Sequence, residues 1–146
     1  RKTTPGLRTL EKYATYIGGA KNHRLNLAER LMIKDNHLLL NSKIFKKISK
    51  MKTNKKKDVI MECDNLYQVK KAILLKIKHI LLDNMDIIKI KEACKLIGKR
   101  AKIEVSGGVN LQNIKKISNI GVNFISVGSI TQSASAAKIC LELKKI

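Results

Sequence analysis

Two short apolar runs near the C-terminal end stop in the same way. Residues 102–109 read Lys-Ile-Glu-Val-Ser106-Gly107-Gly108-Val, and residues 123–129 read Asn-Phe-Ile-Ser126-Val-Gly128-Ser129. A β-branched apolar run ending at Ser and Gly has the character of a buried parallel strand that enters a loop with exposed backbone amides. Glycine lets the backbone approach a ligand closely, and a helix start beyond it offers N–H groups and the positive end of a dipole. Two such loops side by side would make a phosphate cradle at Ser106, Gly107, Gly108 and Gly128. In barrels of alternating strands and helices, the last two strand-to-helix loops commonly form such a cradle. The plainer reading is a turn, which is what one Ser-Gly-Gly usually marks.

The other apolar runs stop at Lys34, Glu62 and Asp83, and Lys2, His23 and Arg24 fall in loops. Arg1 is expected at the end of a preceding strand. If these loops converge, the site is divided by charge. Arg grips a carboxylate through two parallel hydrogen bonds, so a group of cations suits a small polyanion such as a dicarboxylate. Glu62 and Asp83 suit Mg²⁺ held mainly through substrate phosphates, or sugar hydroxyls beside a developing positive charge. Taken singly, Lys2 and Lys34 read as surface cations in a Lys-rich chain, Glu62 and Asp83 as helix caps, and His23 and His37 as loop histidines. Their joint placement at strand ends favours the functional reading.

Alternation positions them. Leu7, Leu10, Ala14 and Ile17 recur on one helical face between Pro5-Gly6 and Gly18-Gly19. A strand is expected at 31–33, a helix from Asn41 to about Lys52, a charged loop at 53–58 and a strand at 59–61. Asp64 or Asn65 caps the next helix. Strand 79–82 follows, then a helix from Asp86 to Gly98, strand 103–105, a helix capped by Asn110 and closed by Gly121, a strand at Phe124, and a final helix over about 133–144. From Glu62 onward the strand ends recur at 21, 23 and 22 residues, enough for one strand, one helix and two short loops. This specifies parallel strands with right-handed crossovers. A doubly wound sheet fits the spacing as well, but ligand groups at every strand end favour a TIM-like (β/α) barrel, α/β in class. A complete barrel needs about 250 residues and five strands are legible, so an incomplete barrel is expected, with a sixth strand before Arg1.

The 146 residues, 44% hydrophobic, are enough for one domain with a core. No apolar run is long enough to span a membrane as a helix. The net charge of +20 points on its face to nucleic acid. It arises from 26 Lys against 5 Arg amid abundant Ile and Asn, the signature of A- and T-rich codons. Five aromatic residues make a poor base-stacking platform. Cys63, Cys94 and Cys140 form no metal-like pair and read as buried, reduced thiols of a cytoplasmic protein.

Arg-Lys-Thr-Thr-Pro-Gly-Leu-Arg at 1–8, Asn22-His-Arg24, Leu-Met-Ile-Lys-Asp-Asn-His37, Leu82-Asp-Asn-Met85, Ser106-Gly-Gly, and Phe-Ile-Ser-Val-Gly128 followed by Ile-Thr131 closely resemble the quinolinate phosphoribosyltransferases, in order and over almost the whole chain. The resemblance implies a pentosyltransferase of de novo NAD biosynthesis. Quinolinate and phosphoribosyl pyrophosphate would give nicotinate mononucleotide, pyrophosphate and CO₂, with Mg²⁺. It implies that Arg1, His23, Arg24 and Lys34 bind quinolinate, that Lys2 lies near the phosphorylated substrate, that Glu62 and Asp83 face ribose and metal, and that the glycine loops hold phosphate. Lys2, Lys34, Glu62 and Asp83 become the expected catalytic group. Gln132 stands where the family often has His, so one phosphate contact would be neutral. The family also carries a separate N-terminal domain, and in a homodimer the partner's N-terminal domain adds an Arg to the site; residues 1–146 would then be the C-terminal barrel domain. Two alternatives are a relative with the same barrel and another pyridine-like substrate, as found in molybdenum-transport gene clusters, and a basic fragment that binds nucleic acid.

Overall fold

Five strands lie side by side in the order in which the chain makes them: β1 (Leu31–Ile33), β2 (Val59–Cys63), β3 (His79–Asp83), β4 (Lys102–Ser106) and β5 (Phe124–Ile125). Every neighbouring pair is parallel. The structure, a computed structural model, describes residues 2–24, 29–34, 36–37, 43–56 and 58–142. Strand order decides between the two architectures that the spacing left open. A doubly wound sheet reverses direction at a switch point, whereas here each crossover steps one strand further the same way. With right-handed crossovers, that winding puts all the connecting helices on one face, as in a barrel. Among the described residues the sheet is unclosed.

The helices are α1 (Arg8–Ile17), α2 (Ile44–Ser49), α3 (Thr53–Lys56), α4 (Leu66–Leu74), α5 (Ile87–Ile97) and α6 (Ile114–Ser118). Capping follows residue chemistry. Asn65 rather than Asp64 caps α4, its side-chain oxygen accepting from the Gln68 amide, and Asp86 accepts from the Lys89 amide at the start of α5. The segment expected as a charged loop contains the short α3. Asn41, the expected start of α2, lies outside the described residues. Asn110 caps a turn rather than α6 itself, accepting from the amides of Gln112 and Asn113.

The expected final helix is not formed. Residues 134–142 carry no regular structure, and 143–144 lie outside the described residues. Ile139 and Leu141 are 90% and 88% exposed, so the segment gains no packing to add to a weak intrinsic helix propensity. In α1 the helix is where the periodicity put it, but its apolar stripe of Leu7, Leu10 and Ile17 is exposed.

Side chains alternate across each strand, so the sheet has two unlike faces. On the helix side Met61, Cys63, Ile80, Leu82, Ile103 and Val105 join one core with Val69 and Ala72 of α4 and with Ile90, Ala93 and Ile97 of α5. On the other side Met32, Ile60 and Leu81 form a small apolar floor. Two residues further along each strand, that same side carries Lys34, Glu62, Asp83, Ser106 and Ser126.

Candidate functional site

Parallel strands end at one edge, and at this edge the polar side opens into a cavity of about 1080 Å³. Lys2, His23, Arg24, Lys34 and Asp83 line it, as do Ser106, Gly107, Gly108 and Gly128. Nine of the eleven residues singled out in the sequence therefore share one space. Glu62 adjoins it through Lys34, whose Nζ donates to Glu62 Oε1 at 3.2 Å. Arg1 lies outside the described residues.

The cationic side is assembled on α1. Lys12 is 7% exposed, and its ammonium donates to the backbone oxygens of His23 at 2.8 Å and Arg24 at 3.3 Å. Burial, and then the nearby Arg8, lower the Lys12 pKa from its ordinary value, with Glu29 opposing. Asn22 donates back to the Lys12 carbonyl. The Arg24 guanidinium donates to the Arg30 carbonyl at 2.8 Å just before β1, which ties the loop to the sheet. His37 is structural: its Nδ1 accepts from the Lys34 amide and closes the turn after β1.

The opposite side is built from close-packed loops. After β3, Asn84 adopts a left-handed backbone with φ of 52°, its amide N–H donates to the Ser106 carbonyl, and its side-chain amide donates to Asp83 Oδ2 at 2.8 Å. Gly107, at φ of 90°, lies against Asn84 so closely that a Cβ there would stand 2.2 Å from Asn84 Oδ1. Only glycine fits. Asn113 donates to the Gly108 carbonyl and fixes the far end of this loop. Gly128 opens a 3₁₀ turn, Gly128–Ile130, ahead of the segment expected as the final helix. The Thr131 hydroxyl donates to the Lys2 carbonyl at 2.7 Å, and Gln132 lines the cavity beside it.

Comparison with known sequences and structures agrees with this geometry. Residues 1–142 match the family described as "Quinolinate phosphoribosyl transferase, C-terminal domain". The chain belongs to that family. It is 43% identical over 139 residues to a probable nicotinate-nucleotide pyrophosphorylase [carboxylating] of Synechocystis, covering 91% of this chain and 47% of the relative. It is 36% identical over 163 residues to the chloroplastic nicotinate-nucleotide pyrophosphorylase [carboxylating] of Arabidopsis thaliana, covering 98% and 47%. Among solved structures, the nicotinate-nucleotide pyrophosphorylase of Ehrlichia chaffeensis superimposes with a TM-score of 0.83 at 43% identity, covering 91% of this chain and 49% of that one. The chain thus spans about half the length of the curated relatives it matches. No helix among the described residues is long and apolar enough to cross a membrane.

In this quinolinate phosphoribosyltransferase family member, sequence reasoning passed over the most buried polar group of the cavity. Glu104, in mid-β4, is 2% exposed. Its Oε2 lies 2.8 Å from His79 Nε2 and its Oε1 accepts from the Ser126 hydroxyl, with His23 Nε2 3.5 Å away. Burial disfavours the charged carboxylate. The hydrogen bonds from His79 and Ser126 and the adjacent imidazoles outweigh it and hold the Glu104 pKa below the ordinary carboxylate value. The His79 ring stacks on Phe124, centroids 5.6 Å apart. A signal was present: a Glu and a His interrupt otherwise apolar strands, and alternation places both on the side opposite the helices.

Proposed function

We propose that this chain carries the catalytic barrel of a carboxylating nicotinate-nucleotide pyrophosphorylase. The protein would convert quinolinate and phosphoribosyl pyrophosphate to nicotinate mononucleotide, pyrophosphate and CO₂. The observation that carries the reading is one cavity divided by charge. Arg24 and Lys34 line it from the loops around β1, with Lys12 bracing the His23 and Arg24 backbone, whereas Asp83, the Ser106-Gly107-Gly108 loop and the Gly128 loop, with Lys2 tied beside it through Thr131, line it from the loops after β3, β4 and β5. A dicarboxylate fits the first and a sugar phosphate the second.

The chemistry asks for placement more than for a strong base. The C1–O bond of the activated ribose breaks, and pyrophosphate leaves with the electron pair. Asp83, with Glu62 behind Lys34, would supply the negative charge that stabilises the oxocarbenium-like carbon. The pyridine nitrogen, with quinolinate held by the cations, donates its pair to that carbon. The carboxyl beside the now cationic ring nitrogen then departs as CO₂, its bonding electrons passing into the ring. A proton takes its place on carbon.

Magnesium fits as a substrate-borne ion. Among the described residues no three His, Cys, Asp or Glu side chains are arranged to hold a metal ion, and of the two carboxylates Glu62 already accepts from Lys34. Glu62 and Asp83 would face an ion coordinated mainly by pyrophosphate oxygens and water, where its charge neutralises the leaving group. Homodimerisation, with a partner's Arg completing the site, belongs to the same proposal and is supported by family resemblance; cytoplasmic location is supported by the three free, scattered thiols.

The test is quinolinate-dependent release of pyrophosphate and CO₂ by the full-length protein with Mg²⁺. Quinolinate should be preferred over nicotinate, which leaves one set of carboxylate partners unpaired. Equal turnover of nicotinate, or none of quinolinate, would refute the assignment.

A further inference from the structure

Helix α1 buries the wrong kind of residue for a helix held by packing. Its apolar Leu10 and Ile17 are exposed, and its one buried residue is Lys12. Burying an ammonium is costly unless polar partners replace its water. Here the partners are two carbonyl oxygens adjacent in the chain, of His23 at 2.8 Å and of Arg24 at 3.3 Å. Asn22 closes the clasp by donating to the Lys12 carbonyl at 2.9 Å. Carbonyl oxygens only accept, so both hydrogen bonds draw on Lys12 Nζ. Arg24 is thus held from two directions: Lys12 takes its backbone, while its guanidinium donates to the Arg30 carbonyl at 2.8 Å and to the Met32 sulfur at 3.9 Å. A guanidinium has five N–H donors, so these two leave others for a ligand in the cavity that Arg24 lines.

We propose that Lys12 is a positioning residue for the dicarboxylate subsite: from α1, its buried ammonium gathers the His23 and Arg24 carbonyls and fixes the backbone from which the Arg24 guanidinium meets the ligand. This rests on the quinolinate reading above. Recognition of a carboxylate by the fork of an Arg is directional, and a misplacement of about 1 Å forfeits much of it. A long, flexible side chain keeps its aim only if its root is fixed. Lys12 supplies that root and needs no contact with substrate. Because the apolar residues of α1 lie in solvent, a substitution at Lys12 is read at the site rather than as lost core packing.

The test uses the full-length protein. Lys12→Met keeps most of the side chain's length and removes its donors. It should raise the quinolinate KM about tenfold, roughly the worth of one oriented hydrogen bond, with kcat and the phosphoribosyl pyrophosphate KM within about twofold. In an Arg24→Ala background the same substitution should add less than about twofold, because its effect passes through Arg24. Comparable rises in both KM values would mark general loosening, and additive losses a direct contact with substrate; either would overturn the proposal, as would an unchanged quinolinate KM. Lys12→Gln, one bond shorter but still a donor, should shift the quinolinate KM the same way by a smaller factor, and it is read by the same criteria if Lys12→Met does not fold. Hydrogen exchange followed by mass spectrometry is a readout free of turnover. Amides of residues 20–24 should exchange at least about threefold faster in Lys12→Met, while those of α5 keep the parent's rates; unchanged exchange at 20–24 would refute the positioning role. If the parent turns over no quinolinate, the functional assignment fails, and the exchange rates still decide this one.

Discussion

Replacing Gly107 by Ala tests whether the loops after β3 and β4 act as one unit. The added Cβ would stand 2.2 Å from Asn84 Oδ1 and 2.7 Å from the Asn84 backbone nitrogen, roughly 1 Å inside ordinary contact. The side-chain oxygen can swing away, but the backbone nitrogen cannot without moving the loop. A left-handed Ala costs about 1–2 kcal/mol, and forcing an extra methyl into a filled space costs about 1–3 kcal/mol more. Together these give a loss of about 2–5 kcal/mol, or about 5–15 °C in Tm for a chain of this size. Gly108→Ala is the internal control. Gly108 has φ of 60° with nothing within 4 Å of the added atom, so it should pay only the backbone cost. The displaced Asn84 amide would also release Asp83, and a misplacement of about 1 Å can cost about a hundredfold in rate. Thermal melting of both variants beside the parent, with kcat/KM for phosphoribosyl pyrophosphate, reads both effects. A Gly107→Ala protein that melts no lower than Gly108→Ala would show that the two loops are not mechanically joined.

Lys34→Ala should reduce kcat/KM for quinolinate by about 10- to 150-fold, the worth of one charge-assisted hydrogen bond of about 1.5–3 kcal/mol; near-parent kinetics would remove Lys34 from the substrate site. Because the folded Glu104 pKa is depressed, its stabilisation is complete above its unfolded value of about 4.3 and is lost as pH falls through the folded value, so Tm between pH 6 and 3 should fall more steeply in the parent than in Glu104→Gln. Parallel curves would contradict the buried ionised carboxylate. Of the three thiols expected to be buried only Cys63 is fully so: burial, with Asp64 and Glu62 nearby, pushes its pKa up to about 12, whereas Cys94 is half-buried and Cys140, on the segment without regular structure, is exposed. Iodoacetamide at pH 8 should modify Cys140 first and leave Cys63 untouched until the protein unfolds, which peptide mass spectrometry would follow.

Most of the strand framework was legible because parallel strands buried on both sides leave continuous apolar runs, and each run here stops at a polar residue whose place could be counted. Spacing alone left strand order open, and it was the ligand groups at every strand end that favoured the barrel, whose sequential order the sheet has. Asp86 and Asn65 announced their helices through side-chain chemistry that acts within a few residues. The final segment misled for the opposite reason: Ser-Ala-Ser-Ala-Ala suits a helix locally, but a helix needs a surface to cover, and that is a tertiary fact. The same gap explains Lys12 and Glu104. One looks like a solvated cation on a polar helix face and the other like a lone charge inside an apolar run, and the fold shows that both are buried and hold other groups in place.

The unlike faces of the sheet have a consequence for how this chain tolerates change. Its cohesion lies almost wholly on the helix side, where truncating Ile80, Leu82 or Val105 would cost several kcal/mol each, by the usual measure of a core cavity. The other side holds a small apolar floor of Met32, Ile60 and Leu81, with Phe124 beside it, and a row of charged and hydroxyl groups, so substitutions there trade recognition for recognition at small cost in foldedness. A fold partitioned in this way can drift toward a new small molecule while remaining intact, because the residues that select the ligand are not the residues that keep the sheet together.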